Sequence, residues 1–106
     1  MINIIYSQNI GDYRTIASGN WEDATKWQTY NGTTWVATTE YPWKTSGSYT
    51  VTIEEINAST PHIITIPTAS TYSIGNLVVK GELTLNANLT LPTTSSLIID
   101  AGTVLL

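Results

Sequence analysis

Apolar and polar residues alternate in short bursts through the second half of the chain. Val51 and Ile53 flank Thr52, Ile64 and Ile66 flank Thr65, Leu83 and Leu85 flank Thr84, and Leu89 and Leu91 flank Thr90. A period of two puts each apolar pair on one face of a strand and the threonine on the other. Threonine keeps that geometry because branching at Cβ stiffens χ1. The pattern predicts short strands, cut by Lys80-Gly81, Asn86-Ala87-Asn88, the polar run from Pro92 to Ser96, and Asp100-Ala101-Gly102. No stretch of useful length carries the helical period of 3.6.

The strands recur. Leu77 to Leu85 can be laid over Leu97 to Leu105 at an offset of 20 residues, with one residue inserted. A direct repeat of that length fits a β-solenoid, in which each coil stacks on the one before. Leu77, Val79, Leu83, Leu85, Leu89 and Leu91 then point into one coil, and Leu97, Ile99, Val104 and Leu106 into the next. Val51, Ile53, Ile64, Ile66 and Ile74 form an earlier, looser coil. An antiparallel β-sandwich is the alternative, since its strands are also short and alternating. This half contains no Asn-Gly or Asp-Gly turn of the kind tight hairpins prefer, which leans towards the solenoid. The sequence stops at Val104-Leu105-Leu106 inside a strand pattern. The expectation is therefore the front of a longer chain, whose open end could also pair copies into a homo-oligomer.

The first half reads differently. Ile2, Ile4 and Tyr6 predict a strand over Asn3 to Ser7, and Tyr13, Thr15 and Ala17 a second, before a break at Ser18-Gly19-Asn20. Asn20 can cap a short helix ending by Trp27, with Glu22 and Lys26 paired on its polar side. Asn31-Gly32 predicts a two-residue hairpin in which Tyr30 faces Thr33, Gln28 faces Trp35, and Trp27 faces Val36. Glu40 to Gly47 is a loop, since Pro42 argues against a central strand there, and Ser46-Gly47-Ser48 leads into the repetitive half. All four tryptophans fall between positions 21 and 43. Large flat rings suit the exposed end of a first coil, so Trp21 and Trp27 are expected to pack as a cap. The predicted organisation is a single folding unit: an aromatic-rich cap over residues 1–48, with a short helix and a hairpin, and solenoid coils over 49–106.

A segment from Ala17 to Trp27, ASGNWEDATKW, followed by Val51-Thr52-Ile53 and by Ile74-Gly75-Asn76-Leu77-Val78-Val79, resembles the N-terminal region of large secreted surface proteins of Bacteroidetes. The resemblance runs from about residue 13 onward. It implies the start of a right-handed parallel β-helix in a secreted or cell-surface bacterial protein. The hairpin at Asn31-Gly32 and the long stretch between Ile53 and Ile64 depart from that pattern.

Charge removes several functions. The net charge is −4, and Arg14, Lys26, Lys44 and Lys80 are the only basic residues, so no patch meets a nucleic-acid backbone. Without cysteine there is neither a disulfide nor a zinc-thiolate site. No apolar run approaches the roughly 20 residues of a membrane helix, and the first residues lack the basic start of a signal peptide.

Candidate chemistry is sparse. Glu54 and Glu55 are adjacent and so face opposite ways on a strand, a poor carboxylate pair for a glycosidic bond. Asp12, Asp23 and Asp100 make no calcium-loop pattern, and His62 has no companion ligand. Three Asn-x-Ser/Thr matches, at Asn31, Asn57 and Asn88, are what a threonine-rich chain contains by chance. No catalytic residue, cofactor or metal is expected. The expected function is structural: a non-catalytic cap that starts an extracellular β-helix and whose partner is the rest of the helix. Two alternatives stand beside it. One is a carbohydrate-binding or adhesion module that meets a glycan with Trp35, Trp43, Tyr41 and Tyr30. The other is the non-catalytic front of a polysaccharide-degrading enzyme.

Overall fold

The structure, a computed structural model, describes residues 8–43 and 49–106. The strand predicted for Asn3 to Ser7 and the linker Ser46 to Ser48 lie outside the described residues. The first half holds β1 (Tyr13–Thr15), β2 (Gly19–Asn20), a 3-10 turn (Ala24–Lys26), β3 (Trp27–Tyr30) and β4 (Trp35–Ala37). The second half holds β5 (Thr50–Ile53), β6 (Glu55–Asn57), β7 (Thr60–Pro61), β8 (Ile63–Ile66) and β9 (Ser70–Thr71). It continues with β10 (Asn76–Val79), β11 (Glu82–Leu85), β12 (Leu89–Thr90), β13 (Ser96–Ile99) and β14 (Thr103–Leu105). The fold is all-β with mixed sheets.

The largest sheet has the order β13-β10-β5-β1-β3-β4. It is parallel from β13 to β1 and antiparallel from β1 to β4. A second sheet, β14-β11-β8-β2, is parallel throughout, and β12 lies parallel to β9. Registers follow the hydrophobic pattern. Leu77 lies between Val51 and Leu97, Val79 between Ile53 and Ile99, and Leu83 between Ile64 and Val104. A one-residue slip would turn Val51, Ile53, Ile64, Leu77, Val79 and Leu83 out of the core. Val51, Ile53, Ile64, Ile66, Ile74, Leu77, Val79 and Leu83 are all buried, and Leu85, Leu89 and Leu91 pack partly against them.

The turn after β10 is built on glycine for lack of space. A Cβ at Gly81 would stand 2.3 Å from the Glu54 carbonyl oxygen and 2.5 Å from that of His62. The turn after β13 repeats the arrangement, with Gly102 2.2 Å from the Val79 oxygen by the same construction. The amides of Lys80 and Gly81 both donate to Ile53, and that of Asp100 to Val79.

Several expectations need correction. The two-residue hairpin is instead a four-residue loop, with Tyr30 opposite Trp35, Thr29 opposite Val36 and Gln28 opposite Ala37. The cause is the Asn31 side chain, whose Oδ1 accepts from the amides of Thr33 and Thr34 at 2.9 Å each. Only Gly32 takes positive φ, at 102°, whereas a type I′ turn needs both central residues there. The helix predicted from Asn20 is a single 3-10 turn. Asp23 caps it by accepting from the Thr25 amide at 3.0 Å, while Asn20 is drawn into β2 beside Thr65. Ser18-Gly19-Asn20 is thus partly strand rather than only a break. Glu22 turns to Tyr72 (2.9 Å). The long connection between Ile53 and Ile64 is occupied by the β6–β7 hairpin. Leu97, Ile99 and Leu106, expected to point into a coil, are 53%, 54% and 100% exposed, because no strand among the described residues covers β13 and β14 on their far side.

Candidate functional site

The aromatic residues divide into a sealed set and a surface set. Trp21 and Trp27 are 0% and 1% exposed. Trp21 stacks on Tyr72 with centroids 5.0 Å apart and planes within 9°, and its other neighbour, Trp27, meets it edge-on at 5.1 Å. Tyr13 sits edge-on to Trp27 at 6.4 Å and touches Tyr49. A buried indole needs an acceptor for its N–H. Trp21 Nε1 donates to the Pro42 carbonyl and Trp27 Nε1 to the Trp21 carbonyl, each at 2.8 Å. The Pro42 carbonyl thus ties the chain at that point to the Trp21 ring. Burial pushes the Tyr49 hydroxyl up to about 12, with Tyr13 adding to it. Burial also raises Tyr72, whose hydroxyl donates to Glu22.

Of the four residues predicted to bind a glycan, two pairs form. Tyr30 and Trp35 meet at 5.3 Å with planes 58° apart, and Tyr41 and Trp43 at 6.4 Å and 44°. Neither pair offers two coplanar rings. Tyr41 also turns its edge to Tyr72, and burial followed by the nearby Glu22 raises its hydroxyl above the usual phenol range. Trp43 is 43% exposed. Trp35 is half-buried, and the Arg14 guanidinium lies over its ring at 4.6 Å. Arg14 is held there by Gln28, whose Oε1 accepts from Nε at 3.0 Å and from Nη2 at 2.9 Å.

The acids and the histidine are engaged structurally. Asp12 is buried, with one carboxylate oxygen accepting from the Asn9 amide (2.9 Å) and the other from the Thr50 amide (2.8 Å). It ties the loop before β1 to the start of β5. Asp100 lies exposed in the turn after β13. No group of acids and histidine suited to a metal ion occurs among the described residues. Glu54 and Lys80 approach to 3.9 Å, both partly exposed, a pair that contributes little. His62 is buried 2.7 Å from Thr15 Oγ1, which also accepts from the Glu54 amide at 2.8 Å. The buried Thr15 hydroxyl proton then finds its acceptor at His62 Nδ1, which makes the ring neutral and protonated at Nε2. Burial lowers the His62 pKa from 6.5, partly opposed by Glu54.

Tyr72, Asp12, Thr15 and Arg14 organise these contacts; the alternation marks Thr15 as a strand residue, and it marks none of them as a contact. Tyr72 lies in the polar run Thr68 to Ser73, and Asp12 and Arg14 fall outside the Tyr13, Thr15 and Ala17 alternation. No helix among the described residues is long and apolar enough to cross a membrane. Comparison with protein-family models, curated proteins and solved structures returns no match for this chain.

Proposed function

We propose that this chain is the capped first part of a right-handed parallel β-helix in a secreted or cell-surface bacterial protein, and that its role is structural and not catalytic. The observation that carries the reading is the shared register of successive strand pairs. β5 with β8, β10 with β11, and β13 with β14 place equivalent residues side by side in both parallel sheets. Each pair is joined through a turn that has a tight glycine in its second and third occurrences. Parallel strands in one sheet are joined by right-handed crossovers almost without exception, which gives the coil its hand. β1 and β2 extend the same two sheets by one further pair, and the Trp21–Trp27–Tyr72 cluster fills the interior at that end. The open edges of β13 and β14 receive the next coil of the longer chain. The surface location rests on the resemblance and on a polar surface of threonine, serine and asparagine with few charges.

Inserting a second copy of residues 76–95 directly after Ser95 tests this reading. A coil adds one more nearest-neighbour interface, so the β-rich circular dichroism should persist and Tm should rise. In an antiparallel sandwich the same insertion destroys the pairing. A fall in Tm or loss of the folded spectrum would reject the coil.

A further inference from the structure

We propose that Asn31 is a self-modification site, where the side-chain amide cyclises onto the Gly32 nitrogen and reopens as aspartate. Asn31 is the only asparagine of the chain that precedes a glycine. The others precede Ile, Trp, Ala or Leu, whose Cβ crowds the nitrogen that would attack. The β3–β4 loop adds three further features. Asn31, Gly32, Thr33 and Thr34 are all exposed, so water and base reach them. The Gly32 amide donates to no group among the described residues, which leaves the nucleophile free. Asn31 Oδ1 accepts from the amides of Thr33 and Thr34 at 2.9 Å each. That oxygen takes the negative charge when Cγ is attacked, and two fixed N–H donors stabilise it there as an oxyanion hole does. Asn57 is the internal comparison. Its Oδ1 accepts from the Ser59 amide alone, and Ala58 follows it.

The conversion balances with water as the sole co-reactant. Gly32 N gives its proton to hydroxide and bonds to Asn31 Cγ, a few covalent bonds away, which closes a succinimide ring. Nδ2 takes a proton from water and leaves as ammonia. Water then adds to Cγ, the bond from Cγ to nitrogen breaks, and the proton returns to Gly32. Amide and water have become carboxylate and ammonium. Addition of water at the main-chain carbonyl of Asn31 gives isoaspartate instead, with an extra methylene in the backbone. That oxygen has no pair of amide donors among the described residues, so the loop favours the aspartyl product. The aspartate accepts the same two amides with a full charge, which strengthens both bonds. A chain of net charge −4 thereby gains one more negative charge beside β4, the edge strand of the six-stranded sheet. The proposal needs only this loop and is independent of how many coils follow.

The 106-residue chain is aged in mildly alkaline buffer, both folded and unfolded in guanidinium chloride, and its peptides are mapped by mass spectrometry. Aspartyl and isoaspartyl peptides separate by retention. In the folded chain Asn31 should convert at least about tenfold faster than any other asparagine. Aspartate should predominate there, while the unfolded chain, without the paired amides, should give mainly isoaspartate. Asn31→Asp, made directly, should fold with an unchanged or higher Tm, because the charged oxygen keeps both amides. Conversion of another asparagine ahead of Asn31 overturns the proposal. So does an isoaspartyl share as large in the folded chain as in the unfolded one, or a lower Tm for Asn31→Asp.

Discussion

Leu77 has Val51 on one side and Leu97 on the other, in one ladder and one register, yet Val51 is fully buried and Leu97 is 53% exposed. The same contrast separates the two ends of the molecule. At the β1 end, the interior closes over Trp21, Trp27 and Tyr72, and both indole N–H groups have acceptors. At the β14 end, Leu97, Ile98, Ile99, Leu105 and Leu106 are exposed, and Asp100 is the only charge after Glu82. Alternation therefore specifies which face a residue takes, and only a neighbouring strand pair specifies whether that face is dry. An uncharged edge of this kind lacks the lysines and prolines with which natural sheets block further pairing.

The sharpest way to break the contrast is to injure both ends equally. Trp21→Ala removes two ring contacts and strands the Pro42 carbonyl, and should cost about 3–5 kcal/mol, a large part of the stability of a domain this size. Leu97→Ala removes a side chain already half in water and should cost no more than about 1 kcal/mol. Urea denaturation midpoints measure both. Equal losses would mean that β13 is covered in solution and that the open end is closed by self-association, which sedimentation would then detect.

The paired glycine turns sharpen the comparison at a second place. Gly81→Ala drives a methyl into the backbone oxygens of Glu54 and His62, neither of which can swing aside, and should cost about 3 kcal/mol. Gly102→Ala makes the same clash with Val79, but β13 and β14 can lift from an open edge. Its global midpoint should move little, while amide exchange over residues 96–106 speeds up. If Gly102→Ala unfolds the whole chain, the last strand pair is as integral as the first.

The core was legible where the period of two was long enough to read. Val51, Ile53, Ile64, Ile66, Leu77, Val79 and Leu83 face inward as the alternation requires, and the 20-residue offset is the β10–β13 pairing. The hairpin register was not legible, because the Asn31 carbonyl competes with the cross-strand ladder for the amides of Thr33 and Thr34. Nor was the short helix, since the β1 ladder takes Trp27 as a strand residue. The stack of Arg14 on Trp35 is least visible of all. Arg14 is on β1 and Trp35 on β4, and only the antiparallel pairing of β1, β3 and β4 brings them to one face.

The smallest expected effect concerns the link between β1 and the turn before β8. Burial beside Thr15 holds the folded pKa of His62 below the ordinary 6.5, with Glu54 partly opposing. In the window between those two values the unfolded chain binds a proton that the folded chain refuses. Stability is therefore complete above pH 6.5, falls as pH drops through that window, and stops falling below the folded pKa. Ordinary carboxylates begin to titrate only near about pH 5, which leaves the upper part of the window clean. Urea midpoints from pH 7.5 to about 5 should show the decline in the native chain and lose it in His62→Asn. A native chain as stable at the lower pH as at the higher would place the proton on His62 in the folded state. Thr15 Oγ1 would then accept from both His62 and the Glu54 amide, and the β1 junction would be held by a charged ring and not a neutral one.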